Sequence, residues 1–181
     1  VGDYNGTTGT DDYDAIQKVL KVAYPPSNSR FGEIGKEVSF DSSKRYFVSK
    51  EILVPPFAKI NGNRTIMYGL NKTNDCFVSA IWNSGELIKT TSKSGSQYFL
   101  SWVELKNFRF RHFNRSIFFV GLTQQTLLER VESTQCNQHI VSKENYFLTV
   151  NISTADQVGV GTGLPAYQFS TLNGMLNLNN L

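Results

Sequence analysis

Leu105-Lys106-Asn107-Phe108-Arg109-Phe110-Arg111-His112-Phe113-Asn114-Arg115-Ser116-Ile117-Phe118-Phe119 is answered 23 positions later by Leu128-Glu129-Arg130-Val131-Glu132-Ser133-Thr134-Gln135-Cys136-Asn137-Gln138-His139-Ile140-Val141-Ser142. Laid one on the other, Leu105 meets Leu128, Phe108 meets Val131, Phe113 meets Cys136, Asn114 meets Asn137 and Ile117 meets Ile140. A unit this short leaves no room for two ordinary helices, and its Phe, Val, Ile and Thr recur at strand spacing. Each copy therefore reads as one coil of a β-solenoid, which buries its apolar face only by stacking on the next coil. Alternation turns Phe108 and Phe110 inward and Arg109 outward, and a bend near Asn107 lets Leu105 point inward as well.

Charge supports the same register. At a coil spacing of about 4.8 Å, Lys106 falls beside Glu129 and Arg109 beside Glu132, both pairs opposite in sign. Asn114 over Asn137 reads as a ladder of side-chain amides at a corner, with Asp156 as its expected continuation. A third coil is read at a shorter offset of 19, with Phe147, Val150 and Ile152 in the places of Leu128, Val131 and Ser133, and a fourth begins at Phe169.

The rest of the chain fits one fold. Its 181 residues, 40% apolar and 13% aromatic, suffice for a core. A net charge of +3 with no basic run gives no reason to expect nucleic acid, and no stretch is long and apolar enough to insert in a membrane. Cys76 and Cys136 lack metal-ligand spacing; Cys136 reads as a buried free thiol, with a disulfide to Cys76 as the alternative. Thr10 or Asp11 is the expected cap of a helix reaching Ala23, with Tyr13, Ile16, Val19, Leu20 and Ala23 along its apolar face. Short strands are expected at residues 37–40, 46–48, 52–54, 58–60, 76–82 and 86–90. The expected fold is all-β, a right-handed single-stranded parallel β-helix with one N-terminal capping α-helix. Residues 1–34 form the lead-in and cap, and residues 35–181 form coils read as the N-terminal part of a longer solenoid.

The opening carries a resemblance. Asp3-Tyr4-Asn5-Gly6, Thr10-Asp11-Asp12-Tyr13-Asp14-Ala15-Ile16-Gln17, Val38-Ser39-Phe40, Tyr46-Phe47-Val48, Ile52-Leu53-Val54-Pro55 and Lys59-Ile60-Asn61-Gly62 resemble the start of the pectate-lyase-like right-handed parallel β-helix superfamily, which includes bacteriophage tailspikes. Asp41-Ser42-Ser43-Lys44-Arg45 stands where that family commonly has a Pro-Gly turn. The resemblance implies a tailspike-type protein of a virion tail or an extracellular setting, a homotrimer that binds and degrades bacterial capsular or cell-surface polysaccharide. It leaves open a non-catalytic receptor-binding module and a secreted polysaccharide lyase.

No nucleophile elbow, phosphate loop, metal-ligand motif or cofactor motif is present. Chemistry, if any, falls to outward-facing residues of the solenoid wall. Glycoside hydrolysis needs two carboxyl groups, about 5 Å or about 6.5–9.5 Å apart, for which Glu104, Glu129, Glu132, Glu144 and Asp156 are the candidates, although Lys106 and Arg109 would neutralise Glu129 and Glu132. Elimination needs a base and a cation, for which Arg109, Arg111, His112 and Arg115 with His139 one coil along are the right residue types. Trp82, Tyr98 and Trp102 are candidates for stacking on sugar rings or for the core.

Overall fold

A computed structural model describes residues 1–26, 36–91, 102–121, 125–170 and 175–181. Helix α1 (Tyr13–Ala23) precedes short strands β1 (Val38–Ser39), β2 (Arg45–Phe47), β3 (Ile52–Val54), β4 (Lys59–Asn61) and β5 (Ile66–Tyr68). Strands β6 (Phe77–Asn83) and β7 (Glu86–Lys89) follow, then β8 (Val103–Arg111), β9 (Arg115–Val120), β10 (Gln125–Thr134), β11 (Gln138–Lys143), β12 (Phe147–Asp156), β13 (Tyr167–Ser170) and β14 (Met175–Asn179). They form a parallel β-solenoid. One sheet has eight strands, ordered β1-β4-β8-β10-β12-β14 with β2 and β5 beside the second half of β8; the other has six, ordered β13-β11-β9-β6-β3 with β7 on β6.

The register of the two matched coils is the one the sequence predicts: Leu128 pairs with Leu105, Val131 with Phe108, Ser133 with Phe110 and Ile140 with Ile117. The bend also falls where expected. Asn107 (φ 59°) and Arg130 (φ 51°) take the left-handed conformation there, so inward positions fall on both sides of the corner. Leu105, Phe108, Phe110, Phe113 and Ile117 are all fully buried, each such side chain contributing roughly 1.5–3 kcal/mol.

The third coil is shifted from its expected place. Val150 pairs with Leu128 and Ser153 with Val131, an offset of 22, while Phe147 pairs with Gln125 and Ile152 takes the corner, φ 53°. Phe147 and Ile152 consequently face outward, 44% and 40% exposed. Strand β13 pairs with β11 and β14 with β12, as a fourth coil requires. The first half of β6 pairs in parallel with β3 and β9, while its second half leaves the solenoid wall and forms an antiparallel hairpin with β7, turned at Ser84-Gly85, both with positive φ.

Helix α1 covers the first coil with Ile16, Gln17 and Leu20; Val19, expected on that face, is half exposed. Gln17 takes the place because β3 is the last strand of its sheet and has unpaired backbone groups. The Gln17 side-chain amide donates to the Leu53 carbonyl at 3.0 Å and accepts from the Leu53 N–H at 2.8 Å, as another strand would. The helix begins after Asp12, whose side chain does not cap it. The buried Asp12 carboxylate instead accepts from the N–H groups of Gly2, 2.8 Å, and Phe47, 3.2 Å, while Asp11 accepts from those of Tyr13, 3.1 Å, and Ser49, 3.2 Å. The aspartate pair of the opening thus ties the N-terminal segment and the helix start to the first coil.

Candidate functional site

The outward face of the eight-stranded sheet gathers most of the residues singled out from sequence. Strand register sets them in columns that run along the solenoid axis, one residue from each coil. The first column is Gln125, Phe147 and Met175, with Trp102, the residue before β8, beside it in the same recess; the next is Glu104, Leu127, Thr149 and Asn177; the third is Lys106, Glu129, Asn151 and Asn179. Beyond the bend come Arg109, Glu132 and Thr154, then Arg111, Thr134 and Asp156. Alternation along β8, β10 and β12 is what turns these side chains away from the core.

Two recesses open on this face. One, of about 350 Å³, lies against Trp102, Gln125, Phe147, Thr149, Met175 and Asn177. Its large apolar side chains are open to solvent, Trp102 at 42%, Phe147 at 44% and Met175 at 58%. Trp102 Nε1 donates to Glu104 Oε1 at 3.2 Å, which fixes the indole beside a carboxylate. The other recess, of about 280 Å³, lies at the bend among Arg64, Asn107, Arg109, Arg130, Glu132 and Ile152.

Two of the carboxylates, Glu104 and Glu132, are held by cations. Glu104 contacts Lys106 at 2.8 Å and Lys59 at 3.7 Å. Burial alone would raise its pKa, but the Lys106 hydrogen bond and the charges of Lys106 and Lys59 outweigh that and hold it below the usual range. Lys106, expected to contact Glu129, is a register neighbour of Glu129 but spends its ion pair on Glu104, two residues away on the same face of its own strand. The pair between Arg109 and Glu132 forms as expected, at 3.3 Å, and Arg64 approaches the same carboxylate at 3.9 Å.

Four residues expected with this group lie elsewhere. His139 is inside the solenoid, fully buried, and not on the wall beside Arg109. The N–H groups of His139 and Ile140 both point to the Ala166 carbonyl, at 2.8 and 3.2 Å, so alternation breaks there and adjacent side chains both turn inward. Arg115 belongs to the six-stranded sheet, where it forks onto buried Asp75 at 2.9 and 2.5 Å with its guanidinium 3.6 Å above the Phe118 ring. His112 is at the corner beyond Arg111, φ 59°, paired through Nε2 with Gln135 at 2.9 Å. Glu144 is at the corner after β11, φ 56°, not on this sheet.

The amide ladder is present, with Asn137 donating to Asn114 at 3.2 Å. It runs the other way from the expected one: Asn114 donates onward to Asp75 at 3.0 Å, and Asp156 instead lies in the column of Arg111 and Thr134. Trp82 is half-buried and clamps the helix end through a 3.0 Å hydrogen bond to the Tyr24 carbonyl. Tyr98 lies outside the described residues. Both cysteines are free and buried. Among the described residues no group of three or more His, Cys, Asp or Glu is placed to hold a metal ion.

Sequence reasoning missed Arg64, Arg130, Phe147 and Met175 as members of this face. Arg130 was legible, since it occupies the bend position opposite Asn107; Phe147 was hidden by the wrong third-coil offset. No protein-family model matches the chain, and no curated protein or solved structure is significantly similar to it, so the likeness of the opening to tailspike-type solenoids rests on its own residues.

Proposed function

We propose that the outward face of the eight-stranded sheet binds an extended polysaccharide of a bacterial surface, as the receptor-binding module of a tailspike-type protein. The observation that carries this reading is the exposed column Gln125, Phe147 and Met175, with Trp102 at its head, beside the column of Glu104, Leu127, Thr149 and Asn177, polar at three of its four positions. A sugar ring has an apolar C–H face and a rim of hydroxyls. The first column offers flat apolar surface to the face, and the second offers carboxylate, hydroxyl and amide groups to the rim. Exposed apolar area rimmed by polar groups marks a binding surface. Positions in a column recur with every coil, about 4.8 Å, a step comparable with one sugar unit, so a polymer lying along the axis sets successive units against successive coils.

Binding is better supported than cleavage on this face. A glycosidic general acid must hold its proton near neutral pH, whereas Glu104 is pushed toward the ionised form by two lysines. Glu132 is engaged by two arginines. The depolymerase reading therefore comes second.

The test is titration of the 181-residue chain against a panel of capsular polysaccharides, with product analysis by mass spectrometry. We expect binding to at least one polymer without cleavage, and an affinity at least tenfold weaker when Trp102→Ala and Phe147→Ala are combined, two stacking contacts of about 1 kcal/mol each. Unchanged affinity in that variant would remove the reading, and release of oligosaccharides would put the depolymerase reading ahead.

A further inference from the structure

We propose that the recess at the bend of the eight-stranded sheet is an anion subsite, built from Arg64, Arg109 and Arg130 around Glu132, which takes an oxyanion substituent carried by the polymer. The proposal deepens the binding reading above, on which the identity of the ligand as a polysaccharide rests.

Three guanidinium groups from successive coils line this recess, against one carboxylate. The bend brings them together. The Arg64 N–H donates to the Asn107 carbonyl at 2.7 Å, and Arg130 occupies the bend on the far side of Asn107. Arg64 and Arg130 therefore flank Asn107 from the coils before and after it, about 10 Å apart along the axis at strand spacing, and Arg109 projects from the strand between them.

Their cationic groups are not used up. Glu132 lies 3.3 Å from Arg109 Nε and 3.9 Å from Arg64 Nη2, yet Arg109 Nε is buried without a hydrogen bond. Arg130, exposed, has no side-chain hydrogen bond or ion pair among the described residues. An unsatisfied buried N–H and an unpaired guanidinium facing one concavity are groups that a bound acceptor satisfies. Carboxylate, sulfate and phosphate oxygens match the guanidinium fork. Glu132 then acts as an internal stand-in: its carboxylate holds two of the arginines in place while no ligand is bound and competes with one that arrives.

This competition separates a ligand site from a structural ion pair. The experiment is calorimetric titration of the 181-residue chain with short oligosaccharides of four kinds, uronic-acid, sulfated, phosphodiester-linked and neutral, and with sodium sulfate alone. We expect at least one anionic kind to bind, more weakly as salt is added. Arg130→Ala should lower that affinity at least tenfold with an unchanged circular dichroism spectrum, since Arg130 is exposed and has no side-chain partner among the described residues. Glu132→Gln should raise it severalfold, and neither variant should alter binding of the neutral oligosaccharide. Which anionic kind binds identifies the substituent as carboxylate, sulfate or phosphate. No binding of any anionic probe, or the parent's affinity in Arg130→Ala, overturns the subsite, as does a Glu132→Gln variant that binds no more tightly. If neutral chains bind through Trp102 and Phe147 while Arg130→Ala has no effect, the wall reading stands and the subsite falls. If anionic chains depend on Arg130 but not on Trp102 and Phe147, the subsite stands and the wall reading falls.

Discussion

Tyr167, Ser153, His139, Ser133, Ser116 and Cys136 form one hydrogen-bonded chain through the interior of the solenoid. Tyr167 Oη donates to Ser153 Oγ at 3.2 Å, and Ser153 Oγ meets His139 Nε2 at 2.7 Å. His139 Nδ1 then meets Ser133 Oγ, which lies 2.6 Å from Ser116 Oγ, and Ser116 donates to Cys136 Sγ at 3.4 Å. A neutral imidazole has one donor and one acceptor, so with the proton on Nδ1 every hydroxyl donates once in the same direction. A second proton on Nε2 reverses one link and orphans a hydroxyl hydrogen in the core. Burial acts in the same sense and pushes the His139 pKa down to about 3. In the unfolded chain the ring protonates near its ordinary value of about 6.5. Because the folded value is the lower one, the contribution to stability is complete above pH about 6.5 and is lost as pH falls from there toward 3, with a slope approaching one proton, about 1.4 kcal/mol per pH unit. Urea unfolding from pH 7.5 to 4 should show this slope in the parent and a shallower one in His139→Gln. Equal slopes would remove His139 as the cause.

The corners, more than the strands, decide how the elements stack. Gly62 packs under the bend of the next coil: a Cβ there would stand 2.5 Å from the Asn107 carbonyl oxygen and 2.6 Å from Phe108 Cδ1. Neither neighbour has room, because Asn107 receives the Arg64 N–H and Phe108 is fully buried. Gly62→Ala should therefore cost about 2 kcal/mol by overpacking, read as a lower urea midpoint at unchanged secondary structure; a midpoint within experimental scatter of the parent would show that the corner gives way freely. The same corners explain what the sequence made legible. The offset of 23 was readable because Asn107 and Arg130 put the bend at the same step of both coils, so core residues matched core residues. The third coil was misread because apolar character was taken as a sign of burial. Phe147 and Ile152 are apolar and outside, and an exposed apolar position inverts the sign of that signal. Gln17 shows the converse, a polar residue buried because a sheet edge needs its amide.

On the scale of the whole molecule the strands of each coil are hydrogen-bonded only to those of its neighbours, so the fold's stability is mainly a sum of interfaces along one axis. The site was only half visible in sequence because Arg64, in the turn between β4 and β5, reaches Glu132 on β10 across the intervening coil, and no local pattern announces that distance. Stacking along one axis gives a graded expectation for amide exchange. Strand β10 is bonded along its length to β8 on one side and β12 on the other. Strand β14 is bonded to β12 alone among the described residues, and its side chains are mostly exposed. Exchange proceeds through local opening, and opening β14 breaks one ladder where opening β10 breaks two. Deuterium uptake measured by mass spectrometry should therefore be slowest in β10 and β11 and fastest in β14 and β13. If the proposed polysaccharide lies along the column from Trp102 to Met175, it ties four coils together and stabilises only the state in which they are stacked. Its addition should slow exchange most in β14, where the free energy of opening is smallest, and least in β10. Uniform protection in the free protein would mean that the coils open as one unit, and a ligand effect centred on β10 would place the polymer across the strands instead of along the axis.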